Sequence, residues 1–420
     1  MSQFHEPVPA RDLALVLGGG GAAGNAWEIG IIAGLADAGL DLTKAADQVI
    51  GTSAGATTAA QVRSGRSAAD LFASVRSPPR PPAGGPPQER PPSLPMAAVF
   101  ERMRAIGAAA TSAIELQRAM GAFGLESDAV LGPGAEQRRA IVAARLPHPH
   151  WPDRPMLVVT IDAHTGEVAA FDRDSGVDLV DAVTASTSLP GLTPTVSING
   201  RRYIDGGVRS TDNADLAVGY ANVVVLSPLG GRSTAPEDRV AGQFEGLRRS
   251  PDWGTDLPSQ VEALRKHGSN VVVITPDADS LAAMGTNQLN PATRPPSARA
   301  GFAQGKAEVA RLKWLRRRSG VRARCLSERA ALVNRREILE TGPQAGDRLV
   351  DLQVGEAVLL PGAIQLVGEV EDRPLAEGAQ ASLEPGRATG LESGDQGPER
   401  AQLVAGGSDP GRLRSSGFPG

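Results

Sequence analysis

The sequence predicts a three-layer α/β fold, in which a mostly parallel central sheet lies between helices on both of its faces. Near the start, short apolar runs at residues 13–17 and 48–51 each lead into a glycine-rich turn that opens a helical pattern. This repetition of strand, glycine turn and helix is typical of parallel strands joined by crossover helices. Apolar runs at 223–226 and 271–274 add further buried strands.

The first helix is predicted from apolar residues at helical spacing, namely Trp27, Ile31 and Leu35. Gly39 suits its C-terminal end, because glycine readily adopts the left-handed backbone that stops helices. A second helix, built of small residues, is predicted over 54–64. Each helix follows a strand directly, as a crossover helix does.

A proline-rich insert, SPPRPPAGGPPQERPPSLP, interrupts this pattern at 77–95. Proline has no backbone N–H, so the insert is predicted as a surface loop with polyproline character, neither helix nor central strand. Beyond it, apolar residues that include Val99, Phe100 and Met103 mark one face of an amphipathic helix.

Tight turns predict hairpins in the middle of the chain. Residues 156–162 and 168–171 are predicted as strands around a Thr-Gly turn. The Asn199-Gly200 pair separates strands predicted at 196–198 and 201–204. Asn-Gly is the strongest short signal of a β-hairpin, because both residues tolerate positive φ.

A helix from about residue 298 to 314, with Ser297 as its N-cap, is expected to close the domain. We therefore expect an N-terminal extension at 1–12, a single domain at 13–318 and a C-terminal extension at 319–420. The end of the chain is rich in Gly, Pro, Glu, Ser and Gln and poor in large apolar residues. That composition predicts an extension that is largely disordered.

Composition and charge exclude several classes of function. The 43 basic and 47 acidic residues nearly balance and aromatic residues make up 3% of the chain, which excludes nucleic acid as the main partner. A single cysteine, Cys325, excludes an internal disulfide and suits a reducing compartment. No segment reaches the roughly 18 unbroken apolar residues of a spanning helix, and the start lacks a signal-peptide pattern. We expect a cytoplasmic protein.

The pentapeptide GTSAG fits the nucleophile elbow G-x-S-x-G, in which a serine occupies a sharp turn between a strand and a helix. Its residues are Gly51, Thr52, Ser53, Ala54 and Gly55. The helix dipole after the turn favours negative charge at Ser53. An ordinary glycine turn is the alternative, but the strand before GTSAG and the helix after it favour the elbow.

The run GGGGAAG at 18–24 also follows a strand and opens a helix. Its bare backbone can direct several N–H groups into one small space, as an oxyanion hole requires. A plain packing turn and a dinucleotide site are the alternatives, since Gly19, Gly21 and Gly24 satisfy G-x-G-x-x-G. The dinucleotide pattern needs an acidic residue at the end of the second strand, where this chain has GTSAG, and this disfavours a cofactor.

A nucleophilic serine needs a base. The five histidines are His5, His148, His150, His164 and His267. His267 stands in the chain order of a hydrolase triad, but the sequence KHG fits a helix C-terminus capped by Gly268. Asp205 is the better candidate, because Gly206 and Gly207 turn sharply after it and can hold a carboxylate rigidly against a hydroxyl. Local sequence alone favours an aspartate that bonds its own turn.

Taken together, the glycine run, GTSAG and the DGG at 205–207 resemble the patatin-like phospholipase family. The segment ASTSLPGLTP at 185–194 is also similar to that family, so the resemblance spans about 13–311. It implies a patatin-like fold and a Ser–Asp dyad that works without histidine, metal or cofactor. By this resemblance Ser53 is the nucleophile and Asp205 is the base.

The resemblance also implies an oxyanion hole formed by the N–H groups of Gly19, Gly20 and Gly21. The implied substrate is an acyl ester of a lipid, met in transient contact with a membrane surface. One departure stands out, because the family usually has Arg or Lys where this chain has Ala23. A catalytically inactive lipid-binding or scaffold protein therefore stays open as the alternative.

Two interpretations are also open for the amphipathic helix that follows the proline-rich insert. It forms either a lid or acyl-chain wall that opens at a lipid surface, or an ordinary helix packed into the core.

Overall fold

The computed structural model describes residues 12–77, 93–230, 250–312 and 314. All of them belong to Met1–Pro343, the first of two compact units, the second being Gln344–Gly420. The C-terminal extension predicted at 319–420 lies outside the described residues. So do the N-terminal extension up to residue 11 and residues 78–92 of the proline-rich insert.

The described strands form one mixed sheet. They are β1 (Leu13–Leu17), β2 (Gln48–Thr52), β3 (Met156–Asp162), β4 (Val168–Phe171), β5 (Val196–Ile198), β6 (Arg201–Asp205), β7 (Asn222–Leu226) and β8 (Asn270–Ile274). Their order is β5-β6-β3-β2-β1-β7-β8, with β4 paired to β3. Strands β3, β2, β1, β7 and β8 are parallel neighbours, whereas β4, β5 and β6 join antiparallel. The predicted parallel centre and the Asn-Gly hairpin are both present.

Helices cover both faces of this sheet. They are α1 (Gly21–Asp37), α2 (Leu42–Ala45), α3 (Ala54–Arg63), α4 (Ala68–Arg76), α5 (Met96–Ala109), α6 (Ala113–Leu131), α7 (Ala135–Ala143), α8 (Leu179–Ser186), α9 (Leu257–Lys266), α10 (Ala278–Met284) and α11 (Arg294–Glu308). Along β1, Leu15 and Leu17 share an apolar cluster with α1, α4 and α8. Ala14 and Val16 point the other way, into the cluster that contains α9. This alternation confirms the predicted three-layer α/β fold.

Helix α11 begins earlier than its sequence predicts. It starts at Arg294 after Thr293 at the N-cap, so Ser297 lies within the helix and is buried. The assignment of Ser297 as N-cap is therefore wrong. Pro295 and Pro296 occupy the first turn instead, where the backbone N–H that proline lacks would have no partner in the helix.

Helices α1 and α11 meet through glycines on both sides of the contact. These are Gly30 and Gly34 of α1 and Gly301 and Gly305 of α11. A Cβ added at any of the four would lie closer than 3.0 Å to a backbone oxygen of the opposite helix. Trp27 Nε1 also donates a hydrogen bond of 3.0 Å to Gln304 Oε1 across the contact. The two backbones therefore touch, which holds α1 and the glycine run at its start firmly in place.

Candidate active site

Ser53 occupies the turn between β2 and α3, and its backbone is strained. Its φ of 55° is positive, a conformation that residues other than glycine rarely adopt. A Cβ at Gly51 or at Gly55 would lie closer than 3.0 Å to neighbouring backbone, so both flanking glycines are needed. Ser53 N–H donates to Ser186 Oγ at 2.9 Å, and that hydroxyl donates to Val159 O at 2.7 Å. These contacts fix the turn in the geometry of a nucleophile elbow.

Asp205 ends β6 and lies beside Ser53. Its Oδ2 accepts a hydrogen bond of 2.7 Å from Ser53 Oγ, and its Oδ1 accepts one of 2.7 Å from Gly207 N–H. The side chain is buried, with 3% exposure. One carboxylate oxygen therefore bonds its own turn, as the local sequence predicts, and the other accepts a hydrogen bond from the serine hydroxyl.

Burial raises the pKa of Asp205 from its usual value near 3.8 to about 6. The hydrogen bonds from Ser53 and Gly207 and the positive charge of Arg138 oppose this rise. The carboxyl group is thus ionised at neutral pH, yet it is basic enough to accept a proton from a neighbouring hydroxyl.

Among the described histidines, His267 occupies a structural position. His267 ends α9, where its Nδ1 lies 2.7 Å from Ala263 O, and Gly268 follows with a φ of 89°. Within the described part of the chain, neither Ser53 nor Asp205 has a hydrogen bond to a histidine. This matches the expectation that KHG is a helix C-terminus.

The glycine run lies against Ser53, but its amides differ in what they contact. Gly19 lines a cavity together with Ser53, and its N–H donates to Thr211 O at 2.7 Å. Gly20 and Gly21 line the same cavity, and their amides have no partner among the described residues. Of the three predicted oxyanion donors, two are thus free in this conformation and one is engaged.

Packing explains why the run has no side chains. A Cβ at Gly20 would lie 2.6 Å from Pro228 Cβ, and one at Gly21 would lie 2.8 Å from Gln288 O. Gly21 also has a φ of 63°, which disfavours any other residue. Ala23 takes the place of the Arg or Lys that is usual in the family, and its buried side chain brings no charge to the site.

The cavity that contains Ser53 and Asp205 has a volume of about 740 Å³. This lies within the range of small-molecule sites, roughly 300–1,000 Å³. Much of its wall is apolar, with contributions from Leu94, Met96, Leu189, Leu192, Leu229 and Leu289. Three arginines, Arg138, Arg145 and Arg294, line it as well. The cavity can accept a ligand with both an apolar and an anionic part.

Helix α5 contributes to the cavity only at its start. Its Val99, Phe100 and Met103 are buried in an apolar cluster with Leu116 and Ile161. These contacts favour ordinary core packing for that face of the helix. Its first residue is the exception, being 45% exposed and part of the cavity wall.

Sequence reasoning missed the three arginines of the cavity. Arg138 lies on α7, Arg145 follows that helix and Arg294 begins α11, so only tertiary structure brings them together. It also missed Ser186, whose hydroxyl accepts a hydrogen bond from the Ser53 amide, although Ser186 lies in the segment ASTSLPGLTP that resembles the family.

Across the described residues, no helix has the length and apolar character needed to cross a bilayer. In the same part of the chain, no group of three His, Cys, Asp or Glu side chains could hold a metal ion.

A sequence model of the family described as patatin-like phospholipase matches residues 15–218. Among solved structures, the chain is similar to VipD from Legionella pneumophila, with 14% identity and a TM-score of 0.32, covering 72% of this chain and 67% of that one. It is also similar to the type III effector protein ExoU, with 15% identity and a TM-score of 0.25. That match covers 71% of this chain and 54% of ExoU, about half of its length. No curated protein matches the chain.

Proposed function

Because residues 15–218 belong to the patatin-like phospholipase family, we propose that the protein is a serine acyl hydrolase that cleaves acyl esters of lipids. The observation that carries this proposal is the 2.7 Å hydrogen bond from Ser53 Oγ to Asp205 Oδ2 in a largely apolar cavity. The apolar wall would hold the acyl chain. The substrate would enter during transient contact with a membrane surface.

In the first step, Asp205 takes the proton of Ser53 Oγ while that oxygen attacks the ester carbonyl carbon. The bond from this carbon to the alcohol oxygen then breaks, and the alcohol leaves with the proton that Asp205 holds. In the second step, Asp205 takes a proton from water, and the resulting hydroxide attacks the acyl group on Ser53. The fatty acid leaves and Ser53 recovers its proton.

The free amides of Gly20 and Gly21 are proposed to donate to the oxygen that becomes negative in each tetrahedral intermediate. One such donor contributes about 3 kcal/mol to the transition state. Gly19 keeps its bond to Thr211 in this scheme and holds the run against Ser53. The dipole at the start of α3 favours the same charge.

The raised pKa of Asp205 predicts the pH dependence of catalysis. As the pH falls through about 6, Asp205 becomes protonated and can no longer accept the serine proton, so activity is lost on the acid side. We expect kcat/KM for p-nitrophenyl butyrate to fall about tenfold per pH unit below that value and to level off above it. If kcat/KM instead fell only around the usual pKa of aspartate, the result would contradict the proposal that buried Asp205 is the base.

A fluorophosphonate probe tests the proposal directly, because it reacts only with an activated serine. We expect the full chain to be labelled and Ser53→Ala to stay unlabelled. Ser74→Ala is the matched control, since Ser74 is an exposed serine on α4 that bonds only Leu71 O, and this variant should label fully. A chain that resists the probe and hydrolyses neither p-nitrophenyl esters nor phospholipids would instead be a lipid-binding scaffold.

A further inference from the structure

Three arginines line the cavity beside the dyad without a bonded carboxylate. Within the described residues, Arg138, Arg145 and Arg294 form no ion pair. One terminal nitrogen of Arg138 donates to the carbonyl and hydroxyl oxygens of Thr187, at 3.1 and 2.9 Å. The Nε atoms of Arg138 and Arg294 are buried and have no partner among the described residues. Buried donors of this kind call for an acceptor, and the described residues do not supply one.

The positive charge of Arg145 also lies within electrostatic range of both Arg138 and Arg294. Loss of hydration is the main cause that lowers the pKa of each guanidinium, and the charge of Arg145 adds to this effect at Arg138 and at Arg294. Together these effects lower the pKa of Arg138 to about 10. All three remain positively charged at neutral pH. Asp205 is the carboxylate whose charge acts on Arg138, so it offsets only part of this concentration of positive charge. A bound anion would offset the remaining positive charge.

The cluster is open to a ligand. Arg145 is exposed and also lines the cavity, whereas Arg138 and Arg294 are half-buried. Guanidinium groups bind phosphate through two parallel N–H bonds, which makes arginine the preferred residue for this group. The cluster and the dyad line one cavity, so an anion held by the arginines and an ester held at Ser53 can belong to the same molecule.

We propose that Arg138, Arg145 and Arg294 bind the phosphate of a glycerophospholipid whose acyl ester lies at Ser53. This assignment rests on the proposed function and adds the residues that would select a phosphate-bearing ester over a neutral one. It also supplies positive charge that Ala23 does not, from elements distant in the sequence.

A kinetic test compares two soluble esters with the same acyl chain, octanoyl glycerol phosphate and monooctanoylglycerol, on the full chain. We expect the wild-type protein to favour the phosphate ester in kcat/KM. Replacing any one of the arginines by methionine should lower this preference about tenfold, because each removes charged hydrogen bonds to phosphate. Arg66→Met is the matched control, since Arg66 is exposed and lies outside the cavity wall. If all three variants kept the wild-type preference, the assignment would be wrong.

A binding test separates this assignment from the catalytic proposal. In Ser53→Ala, calorimetry should show that the octyl ether of glycerol phosphate binds at least about tenfold more tightly than the octyl ether of glycerol. Adding Arg145→Met should remove that difference. Equal affinity for the two ethers would overturn the assignment even if esters are hydrolysed. The assignment would also be overturned if glycerol phosphate bound as tightly as its octyl ether, because the site would then bind a small phosphate. Equally tight binding of octanoate would overturn it as well, because the site would then bind the acid product.

Discussion

Ser53→Ala is expected to lower kcat for p-nitrophenyl butyrate by at least about ten-thousandfold, because it removes the hydroxyl that is proposed to carry the acyl group. Among the described residues, the side chain that donates a hydrogen bond to Asp205 is that of Ser53, at 2.7 Å. Asp205→Asn is expected to cost at least about a thousandfold. Its carbonyl oxygen can still accept from Gly207 N–H, but its amide would then donate to Ser53 and could not take the proton.

Asp181→Asn is the matched control for the second variant. Asp181 lies on α8, where it pairs with Arg139 at the surface, so its loss should leave kcat within about twofold of the wild-type value. Circular dichroism of each variant establishes that it is folded. If Ser53→Ala or Asp205→Asn retains a tenth of the wild-type kcat, that residue does not belong to the dyad.

Gly305→Val is expected to lower the free energy of unfolding by at least about 3 kcal/mol. An added Cβ at Gly305 would lie 2.9 Å from the Cα of Ile31 and still closer to the carbonyl oxygen of that residue, so the two helices would have to move apart. The backbone atoms of Ile31 cannot move aside as the end of a flexible side chain can. The separation would also disturb Trp27, which is fully buried at the same contact.

Gly132→Ala provides the comparison. Gly132 has helical backbone angles, φ −52° and ψ −42°, and nothing lies within 4 Å of an added Cβ. Alanine there should leave stability unchanged or raise it by up to about 1 kcal/mol, because it restricts the unfolded chain. Urea unfolding followed by circular dichroism measures both variants. A Gly305→Val midpoint equal to that of Gly132→Ala would mean that α1 and α11 do not touch at this position.

The sheet could be predicted from the sequence because its signals are local. Apolar runs bounded by glycine mark the parallel strands, and Asn199-Gly200 marks the hairpin, with positive φ at both residues as the turn requires. The start of α11 could not be predicted as accurately as the sheet. Ser297 has the side chain of an N-cap, but two prolines before it extend the first turn to Arg294.

The candidate site also has a part that could be predicted from the sequence and a part that could not. Ser53 and Asp205 are predictable because each lies at the end of a strand in a short motif. The engagement of the Gly19 amide by Thr211 and the placement of Arg138 and Arg294 in the wall of one cavity depend on contacts between distant segments. Nothing in the spacing of these residues reveals such contacts, so they appear only once the chain is folded.

The position of β1 in the sheet has a practical consequence for anyone preparing shorter versions of the protein. The segment 15–218 that matches the family ends before β7 and β8, which pair beside β1. A fragment cut there would turn β1, an entirely apolar and buried strand, into a bare edge that recruits other chains. Such a fragment would aggregate, and a stable catalytic core has to extend to at least Leu312, where the last described helical turn ends.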